Sequence, residues 1–381
     1  MNPPSIVFIV NLLQDVAVLR PLVFMAARDL GLDTKIFVTA AFDKRDRSNV
    51  WHNELQQIAR ETGAALSLIE DEAQAFMQLQ YLAGGALLAA SESNLAGHRI
   101  VHDIFRTKPD SFVAITLQHG LECVGFLQSR DHDRAHGRAV TFAADIVCGW
   151  LEAEKLTALA PSQRGKLVTT GPTTLLQQAS REEPGRKESG QRGQGQRGIV
   201  CENLHSIRLN LAGDFGTDFV ATFNKFCSAL ASQGDDVTLR PHPGGQYVLK
   251  HNTTVASNVV INNHPIYKVN LSRYAYGISA PSSVLVDMVL AGIPTAVWRE
   301  GTGRMDADNY TGLTQVTDEH DWIAFAEEAR SHPERYVEKQ TDFLQHLCMP
   351  LDPGDVYRRY AELLWCAARR TLPTIASPGR G

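Results

Sequence analysis

The chain has 381 residues, 44% of them hydrophobic, and a formal charge of −5. That length exceeds one ordinary core and predicts two domains, while the mild acidity excludes a bulk polyanion partner such as nucleic acid, whose binders carry a strong basic excess. The six cysteines, at 123, 148, 201, 227, 348 and 366, show no Cys-x-x-Cys or Cys/His ligand spacing, so neither a zinc site nor a disulfide framework is expected and a reducing cytosol fits.

The first apolar stretch, Ile6–Val10, is interrupted soon after by Asp15 and Arg20 and follows no basic leader, so it reads as a strand rather than a signal peptide. No later window reaches membrane-spanning length without charge. An amphipathic helix over Leu19–Leu30, closed by Gly31, leads to a strand at Lys35–Thr39. Next come a helix over Leu55–Thr62 with Gly63 behind it and strands at Ala65–Ile69, Ala86–Ala90, Phe112–Leu117, Asp145–Trp150 and Lys166–Thr170. Uniformly apolar strands separated by helices predict a parallel sheet covered on both faces.

The stretch 178–198 contains no large apolar side chain and reads as a solvated linker. The alternation then restarts: strand Gly198–Cys201, helix Phe219–Ser232, strand Val237–Leu239, strand Val259–Asn262, strand Ala275–Ala280, helix Val284–Leu290 and strands Thr295–Trp298 and Thr314–Val316. Helices over Asp321–Arg330, Glu334–Cys348 and Val356–Arg370 complete it. The expected organisation is a Rossmann-like domain at 1–177, the linker, a second Rossmann-like domain at 199–350, a helix in 351–371 packing back on the first domain, and a frayed tail at 372–381.

Ligands of open parallel sheets collect beyond the carboxyl ends of the strands. Gln118-His119-Gly120 follows one such end; a histidine there suits a general base or a donor, with Glu122 as the nearest carboxylate. Arg240-Pro-His242-Pro follows another, and Pro281-Ser282-Ser283 opens a helix whose first N–H groups lack partners. Together Arg240, His242, Ser282 and Ser283 read as a phosphate site. Asp287, one turn into that helix, is either a ribose acceptor or an ordinary polar position. The loop carrying His205, Ser206 and Arg208 is a further candidate facing the same cleft. Asp131-His-Asp133 and Asp306-Ala-Asp308 resemble cation-holding pairs, but about one such string is expected by chance. A Walker loop, a Gly-x-Gly-x-x-Gly after the first strand and a Gly-x-Ser-x-Gly are all absent.

Gln118-His119-Gly120, His242-Pro243 and Ser282-Ser283, in that order across two Rossmann-like halves, resemble the GT-B glycosyltransferases of bacterial surface-polysaccharide pathways. The nearest groups are the CDP-glycerol glycerophosphotransferases of the teichoic-acid type and the sialyl- and Kdo-transferases that use CMP-sugars. The resemblance implies an α/β GT-B fold with two Rossmann-like domains facing a cleft and transfer of a sugar or polyol-phosphate unit from a CMP- or CDP-activated donor to a glycan or glycolipid acceptor. It implies no metal and no cofactor beyond that donor. His242 would contact the donor phosphate, Ser282 and Ser283 would bind it at the helix start, and the catalytic candidates are His119, Glu122 and His242, with Asp131 a rival base. The implied location is the cytoplasm, with Arg358, Arg359, Arg369 and Arg370 of the last helix either resting on anionic lipid or forming a solvated face.

Two departures stand out. Gln118-His-Gly-Leu-Glu122 replaces the Trp-His-Gly-Thr-Pro of the glycerophosphotransferases, and Ala280-Pro281 stands where an acidic residue and a tyrosine often precede their Ser-Ser. Non-hydrolysing UDP-sugar epimerases share the fold and a His-Pro, but use Ser-Gly-Gly where this chain has Ser282-Ser283-Val284. An epimerase is the enzymatic alternative, and a catalytically degenerate GT-B binding module the non-enzymatic one.

Overall fold

The computed structural model describes residues 3–46, 48–179, 197–204 and 215–371. The chain divides into two compact units, the first from 1–127, 136–183 and 349–381, the second from 128–135 and 184–348. Segment 128–135, placed by the sequence within the first domain, thus groups with the second. Most of the expected linker, the tail from 372, and the candidates His205, Ser206 and Arg208 lie outside the described residues.

The first unit is built on a seven-stranded parallel sheet ordered β3-β2-β1-β4-β5-β6-β7. Its strands are β1 Ser5–Val10, β2 Asp33–Thr39, β3 Ala65–Ile69, β4 Gly85–Ala89, β5 Phe112–Leu117, β6 Ile146–Gly149 and β7 Leu167–Thr169. Every residue of β1 and β4 is buried, as expected where helices cover both faces of a sheet and no strand face meets water. Gly85 is needed at the start of β4: at φ +141° a Cβ would stand 1.9 Å from the Ser5 carbonyl oxygen on β1.

The first helix begins a turn earlier than its apolar pattern suggests, at Asp15, and runs to Phe24 before loosening into a π-helical turn, Met25–Asp29. The Asp15 carboxylate explains the early start: it accepts the N–H groups of Asn11 (2.9 Å) and Leu12 (2.7 Å) in the turn before the helix. Helices Glu72–Gln80 and Arg99–Thr107 supply two further crossovers.

Helix Pro353–Arg369 belongs to the first unit, against β1, β4, β5 and helix Thr174–Ala179. Its buried Tyr360 accepts a hydrogen bond from Thr170 (2.9 Å) and donates one to the Gly171 carbonyl (3.0 Å), and Arg359 donates to the Thr169 carbonyl at 2.7 Å. No helix among the described residues is long and apolar enough to cross a membrane.

The second unit repeats the architecture with six parallel strands ordered β10-β9-β8-β11-β12-β13. These are β8 Gly198–Cys201, β9 Val237–Arg240, β10 Val259–Ile261, β11 Tyr276–Ser279, β12 Thr295–Trp298 and β13 Thr314–Val316. Helices Phe215–Ala231 and Glu319–Ser331 pack an aromatic core on one face. There Phe226 meets Trp322 edge-on at 5.4 Å and Phe219 meets Trp298 at 5.1 Å, contacts worth about 0.5–1.5 kcal/mol each beyond the area they bury. Tyr276 lies directly over Gly198 on the neighbouring strand, where any Cβ would come within 2.2 Å of its ring.

Candidate functional site

Both sheets reverse strand order at one point, between β1 and β4 in the first and between β8 and β11 in the second. Such a switch point opens a crevice beyond the carboxyl ends of the strands. In each unit a side-chain bond spans it.

In the first unit, Ser91, after β4, donates a hydrogen bond to the Asp15 carboxylate, after β1. Asp15 is fully buried, and burial pushes its carboxyl above the usual carboxylate range despite the hydrogen bonds it accepts. His119, just past β5, is half-buried; its Nδ1 donates to the Ala90 carbonyl at 2.8 Å, and Cys123 Sγ lies 3.4 Å from the same nitrogen. Burial disfavours its cation, but Cys123, Asp15 and the Ala90 carbonyl outweigh that and hold His119 protonated up to about 9. At neutral pH the ring is therefore a cationic donor or general acid rather than a base. His98, edge-on to it at 6.4 Å, is pushed down to about 3 by burial and by the His119 charge, so the neighbouring rings carry opposite roles.

The His119 turn is set by Gln118, whose buried side chain donates to the Gly120 (2.9 Å) and Leu121 (3.1 Å) carbonyls and accepts the Trp150 N–H at 2.8 Å. The sequence motif thus carries the His119 ring and its brace in adjacent residues. Glu122 is half-buried within the same turn, one residue before Cys123.

In the second unit, the strand-end residues Arg240, Cys201 and Ser279 stand in register on β9, β8 and β11. Since neighbouring strands lie about 4.8 Å apart, the turns after β9 and β11 flank β8 across a gap of about 10 Å, room for a phosphate or diphosphate. The buried Glu202, just past β8, accepts the backbone N–H of Val248 at 3.1 Å, with the N–H groups of Tyr247 and His242 close enough to favour its charged form. Burial outweighs these bonds and pushes its carboxyl up to about 7. The next residue, Asn203, donates from Nδ2 to the Pro281 carbonyl at 2.6 Å, crossing the switch point.

His242 Nδ1 accepts the Gly244 N–H at 3.1 Å. A neutral ring must then carry its proton on Nε2, which makes it a donor suited to an anion. Ser282 is buried and its Oγ accepts the Val284 N–H at 3.5 Å, while Ser283 occupies the N-cap position of helix Val284–Leu290 without capping it through its side chain. Arg240 is buried at the end of β9, its cation disfavoured by burial and supported by Cys201 and Asp287, and its Nε has no hydrogen-bond partner among the described residues. Asp287 is thereby placed close to Arg240, half-buried one turn into its helix.

The two Asp-x-Asp strings meet within the second unit, around an arginine. Asp306 accepts the Arg130 N–H (2.6 Å) at the start of helix Arg130–His136, Arg130 also pairs with Asp308 (3.7 Å), and Asp131 pairs with Arg134 (3.1 Å). Among the described residues no three His, Cys, Asp or Glu side chains are grouped to hold a metal ion. Asp15, Ser91, Cys123 and Glu202 escaped the sequence reading, while Asn203 entered it only as the first residue of the candidate loop that carries His205. Glu202-Asn203 left one usable trace, a polar pair directly after a wholly apolar strand.

Two parallel α/β sheets of this topology define the GT-B fold. No protein-family profile matches the chain, and no curated protein sequence does. Among solved structures, the chain is similar to a UDP-N-acetylglucosamine 2-epimerase candidate from Listeria monocytogenes, with a TM-score of 0.62 and 11% identity over 100% of this chain and 99% of the other. It is also similar to the UDP-GlcNAc 2-epimerase of Neisseria meningitidis bound to UDP-GlcNAc, with a TM-score of 0.60 and 12% identity over 95% and 99% of the two chains. A third similar structure is the wall teichoic acid polymerase TagF, with a TM-score of 0.58 and 12% identity over 98% and 91%. At these identities the likeness is one of fold.

Proposed function

We propose that this chain is a GT-B transferase that moves a sugar or polyol-phosphate unit from a nucleotide-activated donor, of the CMP or CDP type, onto a bacterial surface glycan. The observation that carries the reading is the arrangement after β9 and β11: an Nε2–H donor on His242, two serines at a helix start, and a buried arginine behind them. That set neutralises a leaving phosphate by preorganised donors, with Ser282 and Ser283 as its ligands, Arg240 as supporting charge and Asp287 placed for the ribose. His119, cationic at neutral pH, would act on the acceptor side by donating a proton or hydrogen bond, leaving Glu122 or Asp131 to serve as base.

A second reading has a specific observation in its favour. Two of the similar structures are described as UDP-GlcNAc 2-epimerases, one of them holding UDP-GlcNAc, which supports a UDP-sugar acted on without an acceptor. Against it stands Ser282-Ser283-Val284 in place of Ser-Gly-Gly. A thermal-shift series with CMP, CDP, UDP and GDP tests the donor, with stabilisation by CMP or CDP expected; a response to UDP alone would transfer the reading to a UDP-sugar enzyme. Incubating the protein with the matching sugar nucleotide, with and without a glycan acceptor, then separates transfer from epimerisation. Nucleotide binding without turnover in either mixture would leave a binding module.

A further inference from the structure

We infer that Glu202 and Asn203 are the positioning residues of the anion site, one holding the turn after β9 and the other the turn after β11, so that two adjacent side chains on the central strand set the width of the site. The inference deepens the proposed function and rests on it for the identity of the ligand.

The geometry follows from topology. β8 has β9, the next strand in sequence, on one side and β11, three strands later, on the other. Past its end the chain holds β9 first through its backbone, where the Glu202 N–H donates to the Arg240 carbonyl at 3.0 Å. The Glu202 side chain then takes the Val248 N–H and lies close to those of Tyr247 and His242. It thereby ties down the loop that presents His242. Asn203 turns to the other side and fixes the Pro281 carbonyl, one residue before Ser282.

The chemistry of each side chain suits its task. The Val248 N–H at the far end of the loop needs an acceptor, which the Glu202 carboxyl supplies through Oε2. A lone carbonyl needs a donor, which Asn203 supplies through its amide nitrogen. A carboxylate at 203 would set oxygen against the Pro281 carbonyl oxygen. Both residues are buried, and Glu202 Oε1 and Asn203 Oδ1 have no hydrogen-bond partner among the described residues. Keeping such groups in the interior is costly, which fits residues retained for placement rather than for packing.

Two variants of the full chain, Glu202→Leu and Asn203→Ala, test this by amide hydrogen exchange in the free protein and by calorimetric titration with UDP and with CDP. Glu202→Leu, which removes the acceptor, should speed exchange over 242–248 by about tenfold or more and leave 282–287 unchanged, and Asn203→Ala should do the reverse. Each should weaken nucleotide binding by about tenfold. Asn203→Ser, whose hydroxyl still donates, should recover part of the loss and serves if the alanine variant does not fold. Uniformly faster exchange through the second sheet, unchanged exchange in both turns, or wild-type nucleotide affinity in both variants would each overturn the inference. If the wild-type chain binds neither nucleotide, the nucleotide reading fails, while the exchange pattern still decides whether these residues hold the turns.

Discussion

Replacing Glu202 by glutamine should change how the stability of the second unit depends on pH. The Glu202 carboxyl is pushed from 4.5 up to about 7 in the folded chain, burial being the main cause. A group whose folded value lies above its unfolded one favours the fold while it holds its proton, so its contribution is complete below about pH 4.5 and is lost as pH rises through about 7. The full difference amounts to about 3 kcal/mol, and the part lost between pH 5 and pH 8 to roughly 2–3 kcal/mol. Glutamine does not titrate and should lack this loss, while every other group titrates alike in both proteins. Urea unfolding followed by tryptophan fluorescence measures it, since Trp298 and Trp322 are buried in the second unit. Parallel stability curves for the two proteins from pH 5 to pH 8 would refute the assignment of a buried, protonatable carboxyl to this position.

His242→Ala should abolish or weaken nucleotide binding by about tenfold to a hundredfold with an unchanged circular dichroism spectrum; full affinity would remove the phosphate site. Cys123→Ser should lower the His119 value from about 9 toward its ordinary 6.5, read from its ring proton shifts by NMR. The stabilisation that His119 gives, present below about 6.5 and lost as pH rises through about 9, should shrink with it. Gly198→Ala should destabilise the second unit by about 3 kcal/mol, because the Tyr276 ring occupies the space of the new methyl, and a shift of the chemical midpoint smaller than a third of that would contradict the packing described. Tyr360→Phe should cost about 1 kcal/mol in the first unit, through the bonds to Thr170 and Gly171.

The strands were legible because covered parallel strands are largely apolar: Phe112–Leu117 and Thr295–Trp298 fall where their runs predict. Glu72–Gln80 was not legible as a helix. Only Ala75 and Leu79 of its residues are buried, and exposed Met77 blurs the periodicity that marks a buried face. The same division runs through the site. His119, His242 and the Pro281–Ser283 turn are singled out by sequence because each sits in a short motif after a strand. Glu202 is not, and Asn203 only as part of a candidate loop, because their placement depends on which strands flank β8, and β11 is not its neighbour in the sequence. Asp15 was read as an interruption of an apolar stretch, whereas it anchors the first crevice through Ser91, far along the chain.

Helix Pro353–Arg369 has a consequence for how the protein is made. It covers strands of the first sheet and bonds to Thr169 and Gly171, yet it is translated after the whole second unit. During synthesis the second unit can complete its core while the first still shows the surface meant for Tyr360, Leu363 and Leu364. Ribosomes stalled before codon 353 would therefore release chains with one finished half and one adhesive half, a natural substrate for chaperones and for quality-control proteolysis.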